Sequence, residues 1–190
     1  AILNILCIID FVNYQRLGLG GATYMNNRTG EAKVNRAFTI LDLENQCGGA
    51  ELVPAFAQEV KRQFKSFALP VPGQTVVAVG NLAMAMYPQL AFDFAGARVM
   101  SRGGINGADI CLCEILAEDA NAKRSRYVVI GSGDRMFAEP ASKLKQNGSE
   151  ILVIGRRGTI AHELLVVANQ VIYLNDKAFV KETLHITSPV

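Results

Sequence analysis

Three aspartates are placed where a chain of this pattern can do chemistry: Asp42, Asp109 and Asp134. Asp42 closes the apolar run within residues 37–43 (AFTILDL), and Asp134 follows the run YVVI at 127–130 through Gly131-Ser132-Gly133. Asp109 opens a helical segment after a third apolar run and is preceded by Asn106 and Gly107. In parallel α/β sheets, ligands gather beyond the carboxyl ends of the strands, so the three side chains are expected at one edge. Carboxylates brought together there repel, each pair at about 4 Å costing roughly 4 kcal/mol at an effective dielectric near 20. A divalent cation removes that penalty, and an all-oxygen ligand set suits Mg²⁺ or Mn²⁺. Such a centre activates water and offsets charge on a phosphoryl group, so the expected chemistry is phosphodiester hydrolysis.

The elements that must position these acids are readable from period and punctuation. Residues 51–67 carry Leu52, Phe56, Val60, Phe64 and Phe67 on one helical face, with Gln58, Lys61, Arg62 and Lys65 on the other. TVVAV at 75–79 predicts a strand, 82–90 a short helix, 97–100 a strand, and 108–119 a helix after the glycine turn Gly103, Gly104, Gly107. Residues 137–146 predict a helix stopped by Gly148. ILVI at 151–154, a helix near 162–168 and VIYL at 171–174 complete the series. Short apolar strands alternating with helices imply a three-layer α/β/α sandwich around a mainly parallel sheet. The expected organisation is an N-terminal extension at 1–36, one domain at 37–175 and a tail at 176–190. The extension holds the glycines Gly18, Gly20 and Gly21 and a turn at 26–30 (NNRTG), which suit either an added strand or hairpin or a partly ordered segment.

Composition bounds the partners. Half of the 190 residues are hydrophobic and 19% are charged, so a real core is expected and global disorder is not. Nineteen Lys and Arg against 17 Asp and Glu leave a formal charge of +2, so any polyanion site must be a local patch. Arg98, Arg102, Arg135, Arg156 and Arg157 are candidates to contact phosphates, although any one of them reads more readily as a solvated surface charge. Cys7, Cys47, Cys111 and Cys113 show no zinc-type spacing, and free thiols in a reducing cytoplasm are the simplest reading. Residues 1–9 are apolar but lack a basic flank, and Asp10 ends the run, a poor fit to a signal peptide. The charge-free stretch 66–92 is broken by Pro70, Pro72, Gly73, Gly80, Asn81 and Pro88, so a strand followed by a buried helix is expected there rather than a membrane span.

Specific residues carry a family resemblance. Leu41-Asp42-Leu43-Glu44-Asn45 with Cys47-Gly48-Gly49, then Gly107-Ala108-Asp109-Ile110, then Val128-Val129-Ile130-Gly131-Ser132-Gly133-Asp134-Arg135-Met136-Phe137, resemble the three acidic motifs of NYN domains in order and spacing. Gly155-Arg156-Arg157-Gly158 occupies the place of the loop after the next strand. The resemblance spans roughly residues 37–175 and implies a PIN-like fold and metal-dependent endoribonuclease activity. Asp42, Asp109 and Asp134 would then hold Mg²⁺ or Mn²⁺ and catalyse, while Asn45 and Ser132 orient water or phosphate and Arg102, Arg135 and Arg156 position RNA. Gly131-Ser132-Gly133 reads equally as the tight turn any strand-helix junction needs. The chain departs from the family at Met136, where many members carry a second acid. That departure keeps open an RNA-binding or regulatory module without catalysis. Glu139 and Glu114, each five helical residues from an aspartate, are turned about 140° away from it. Asp10 and Asn13 repeat the Asp-x-x-Asn spacing but precede a glycine-rich break, so Asp42 is preferred. A phosphatase of the haloacid dehalogenase type needs an aspartate where Glu44 stands. RNA is the expected partner, no membrane is expected, and the sequence is compatible with a homo-oligomer.

Overall fold

The computed structural model describes residues 24–25, 32–49 and 52–175. Its apolar, β-branched runs become strands: β1 (Tyr24–Met25), β2 (Ala32–Asp42), β3 (Gly73–Gly80), β4 (Arg98–Arg102), β5 (Ser125–Gly131), β6 (Glu150–Gly155) and β7 (Gln170–Tyr173). β1 pairs antiparallel with the start of β2. The other six are parallel in the order β4-β3-β2-β5-β6-β7. The chain therefore steps outward from β2 through β3 to β4, then returns to the far side of β2 with β5. A crevice opens at such a reversal, beyond the carboxyl ends of the two strands that flank it. Here those strands are β2 and β5, which end at Asp42 and Gly131.

Eight helices fill the crossovers of the described residues: α1 (Leu43–Cys47), α2 (Pro54–Ser66), α3 (Asn81–Met86), α4 (Leu90–Asp93), α5 (Gly107–Glu118), α6 (Ala120–Arg124), α7 (Ala138–Gln146) and α8 (His162–Val167). The expected three-layer sandwich is observed. Leu41, Val77, Val79, Val129, Leu152 and Ile154 point to one face and pack under residues of α1–α4. Phe38, Ile40, Val76, Ala78, Val128, Ile130, Ile151 and Val153 point to the other, under α5–α8. That alternation is the period-2 pleat of strands buried on both faces. α5 meets the second core with Ala108, Cys111, Leu112, Ile115 and Leu116, a helical stripe at spacings of three and four.

Several boundaries differ from expectation for identifiable reasons. β2 begins at Ala32, with a register shift between Val34 and Ala37 that brings its first residues beside Ser125. α2 starts at Pro54 rather than residue 51, because proline has no amide hydrogen to offer and suits the first turn. The charge-free stretch does form a strand and helix, but α3 is not buried. Only Ala83 of it is enclosed, while Leu82 and Met86 are exposed, and Pro88 divides it from α4. No helix among the described residues is long and apolar enough to cross a membrane. Cys47, Cys111 and Cys113 are free thiols; Cys7, Asp10 and Asn13 lie outside the described residues.

Candidate active site

Asp42 has the pleat parity of Phe38 and Ile40, so it leaves β2 on the face covered by α5, whose first turn carries Asp109. The strand stops at Asp42 because its carboxylate caps the next helix: Oδ1 accepts the Asn45 amide at 3.2 Å. On the neighbouring strand, Ser132 follows β5 and its Oγ donates to Asp42 Oδ2 at 3.2 Å. The same Oγ accepts the Asp134 amide at 3.2 Å. Asn45 Oδ1 closes the ring by accepting the Gly133 amide at 3.0 Å. The ends of β2 and β5 are thus tied together through side chains, which fixes the Asp42 carboxyl in one orientation.

Asp42 and Asp109 meet. Asp42 is only 3% exposed. Burial, then the hydrogen bond and charge of Asp109, push its carboxyl from 3.8 up to about 8. Asp109 is also raised, first by burial, with the Asp134 charge adding and the contact with Asp42 opposing. With both groups ionised, Asp109 Oδ1 is buried with no donor to satisfy it. A proton shared with Asp42 or a cation fills that need. The buried Asp42 carboxyl and the partly buried Asp109 carboxyl beside it form a donor set that fits a hard divalent ion.

Asp134 lies near enough for its charge to act on Asp109, but its Oδ1 is occupied by the Met136 amide at 2.8 Å as the cap of a 3₁₀ turn, Arg135–Phe137. Among the described residues, no three His, Cys, Asp or Glu side chains stand together as a ready metal cage. Cys113, one turn beyond Asp109, registers all three acids. Burial drives its thiol to about 12, and Asp109, Asp134, Asp42 and Glu114 add to the rise in that order.

The remaining candidates take distinct places. Arg102 ends β4 at the wall of the cleft and pairs with Glu114 at 2.7 Å, both half-exposed. Arg135 is exposed in the 3₁₀ turn. Arg156 follows β6 and its guanidinium lies against Gly48, so a side chain there would have to displace it, while Gly48 itself is left-handed at φ +93°. Arg157 stacks on Tyr173 at 4.4 Å instead of facing the acids. Asn45 and Ser132 are both engaged by protein partners.

Two residues carry more of the site than their sequence context suggests. Glu44 lies in the first turn of α1, and its Oε2 accepts the Gly80 amide at 2.6 Å, tying the end of β3 to α1. Gln46 is fully buried, and its Nε2 donates to Asn45 Oδ1 at 3.3 Å, backing the ring from below. A cleft of about 490 Å³ opens over Asp42 and Asp109, walled by Glu44, Asn45, Asn81 and the loop at 102–107.

The family model of the NYN domain matches residues 76–175, more than half of the chain. The chain belongs to the NYN domain family. This NYN domain is therefore one of the PIN-like group of nuclease-type domains. The matched span includes Asp109 and Asp134; Asp42 precedes it and is joined to them by the fold. Among solved structures, a protein of unknown function from Vibrio parahaemolyticus is similar, with a TM-score of 0.53 and 12% identity over 75% of this chain and 94% of the other. That likeness is one of fold. The MAR1 ribonuclease of Caenorhabditis elegans aligns with a TM-score of 0.35 and 13% identity over 82% of this chain and 76% of its own. No curated protein matches.

Proposed function

We propose that this NYN domain is a divalent-metal-dependent endoribonuclease. The observation that carries the reading is the Asp42–Asp109 contact at the strand-order reversal, with a buried Asp109 oxygen that lacks a donor. Asp42 and Asp109 would hold Mg²⁺ or Mn²⁺, and Asp134 adds negative charge beside them. When bound, the ion supplies a lowered pKa for water and a counter-charge for the phosphoryl oxygens. Ser132 and the Asn45 amide hold the Asp42 carboxyl still, which limits the reorganisation needed as the phosphate reacts. Arg102, which lines the cleft, would supply positive charge for the RNA backbone, and Arg135 and Arg156 would extend it. The free thiols of Cys47, Cys111 and Cys113 support a reducing compartment such as the cytoplasm.

The test uses a fluorescent RNA with Mn²⁺ or Mg²⁺. Cleavage that stops with EDTA and in Asp109→Asn, with folding unchanged by circular dichroism, is the expected result. Cleavage that persists in that variant sinks the assignment.

A second reading, an RNA-binding module without turnover, is favoured by one observation: one carboxylate oxygen of Asp134 is taken up by the Met136 amide as a cap. Salt-dependent RNA binding with no cleavage under any divalent ion would select it.

A further inference from the structure

The cleft has an apolar mouth above an acidic floor. Leu82, the second residue of α3, and Ile105, in the loop between β4 and α5, both line it, yet they are 68% and 91% exposed. Ile105 stands at the tip of a tight turn closed by the Gly107 amide on the Gly104 carbonyl at 3.2 Å. The residues on either side of it are left-handed: Gly104 at φ +95° and Asn106 at φ +55°. A non-glycine residue in that region is sparsely populated and is held only where its surroundings impose it. The turn is held from both ends. Gly107 abuts the Arg102 carbonyl too closely to accept a side chain, and a Cβ on Gly103 would fall 2.9 Å from Asn81 Nδ2. Asn81 precedes Leu82, so the two apolar residues belong to adjoining walls. Folding gains little from either side chain, since both stay largely in water.

We propose that Leu82 and Ile105 form an apolar lip that seats the base of the nucleotide next to the scissile phosphate, and so select unpaired RNA. The proposal rests on the reading of the acidic floor as the cleaving centre. A ligand for this cleft must be charged at the floor and apolar at the rim. A nucleotide meets both demands, because its phosphate reaches the acids through a cation and every base has an apolar face. The volume of about 490 Å³ lies in the range of small-ligand pockets. In a duplex both faces of each base are covered by stacking, so a paired nucleotide has no face to offer. Leu82 and Ile105 also carry no hydrogen-bonding group, so they prefer an exposed base face without reading base identity.

The test measures kcat/KM on two RNAs that differ only in whether the nucleotide beside the cleavage site carries its base or is abasic. Wild type is expected to favour the intact RNA by about fivefold, the equivalent of ~1 kcal/mol. In Leu82→Ser and Ile105→Ser the ratio falls toward one, and it falls furthest in the double variant. Ile105→Phe, which enlarges the apolar face, raises it. A ratio in the serine variants equal to that of wild type, with cleavage intact, overturns the lip and leaves the nuclease reading standing. No cleavage of either RNA by wild type overturns both.

Discussion

Asp42→Asn keeps the size and shape of the side chain at the centre of the sheet edge while removing its titration. Asp42 is raised in the folded protein from 3.8 to about 8. The native state therefore holds this proton more tightly than the unfolded chain does. Its contribution to stability is complete below about pH 4 and is lost as pH rises through 8. The full displacement corresponds to ~5 kcal/mol at pH 8. Water entering the open cleft and adjustment of Asp109 offset part of it, leaving about 2–3 kcal/mol. Asparagine can still accept the Asn45 amide and donate to Ser132, so the ring through β2 and β5 survives. Urea denaturation in EDTA should find the variant more stable than wild type by that amount at pH 8 and by under about 1 kcal/mol at pH 5. The corresponding rise in Tm at pH 8 is roughly 5–10 °C. Mn²⁺ should raise the Tm of wild type and not that of the variant. Equal stability at pH 8, or a variant weaker than wild type, would refute the claim that a strained, ion-ready carboxyl lies at this position.

Gly133→Ala puts a methyl group onto the Thr159 carbonyl, which is backbone and cannot yield, where the loop is also tied by the Ala161 amide to Gly133 at 2.9 Å. A loss of about 2–4 kcal/mol in denaturant, together with loss of activity, is expected. Gly48→Val meets both a left-handed backbone and the Arg156 guanidinium; it should cost about 1–3 kcal/mol and weaken RNA binding in a fluorescence-anisotropy titration. Gln46→Met removes the support under Asn45 but also a buried carbonyl oxygen with no partner. Stability should stay within about 1 kcal/mol of wild type while kcat falls, a split that a purely structural residue would not show.

Much of the architecture was legible because it rests on two robust signals. Strands buried on both faces read as unbroken apolar runs, and parallel crossovers force helices between them. The placement of acids at the carboxyl edge followed from the same logic, and the Asp42–Asp109 contact is its outcome. What the chain hid was short or non-local. α1 is five residues (LENQC), too brief for a periodic pattern, and the bond of Glu44 to the Gly80 amide has no signature along the chain. The buried amide of Gln46 depends on three segments meeting, as does the packing of Phe64 and Leu41 where a Gly131 side chain would lie, at 2.6 and 2.9 Å. The exposure of Leu82 defeats the usual inference from hydrophobicity, because the six-residue α3 encloses only Ala83. Asp134 stands beyond β5, and its cap on the Met136 amide is a detail of local backbone geometry that the residue order does not display.

The central claim is that Asp42 and Asp109 bind one hard cation between them. Crystals grown with Mn²⁺ and measured at the manganese absorption edge test it without reference to catalysis. An anomalous peak within bonding distance of both carboxylates is the predicted result. A peak elsewhere, or none at saturating Mn²⁺ with the two carboxyl groups still sharing a hydrogen bond, would contradict it.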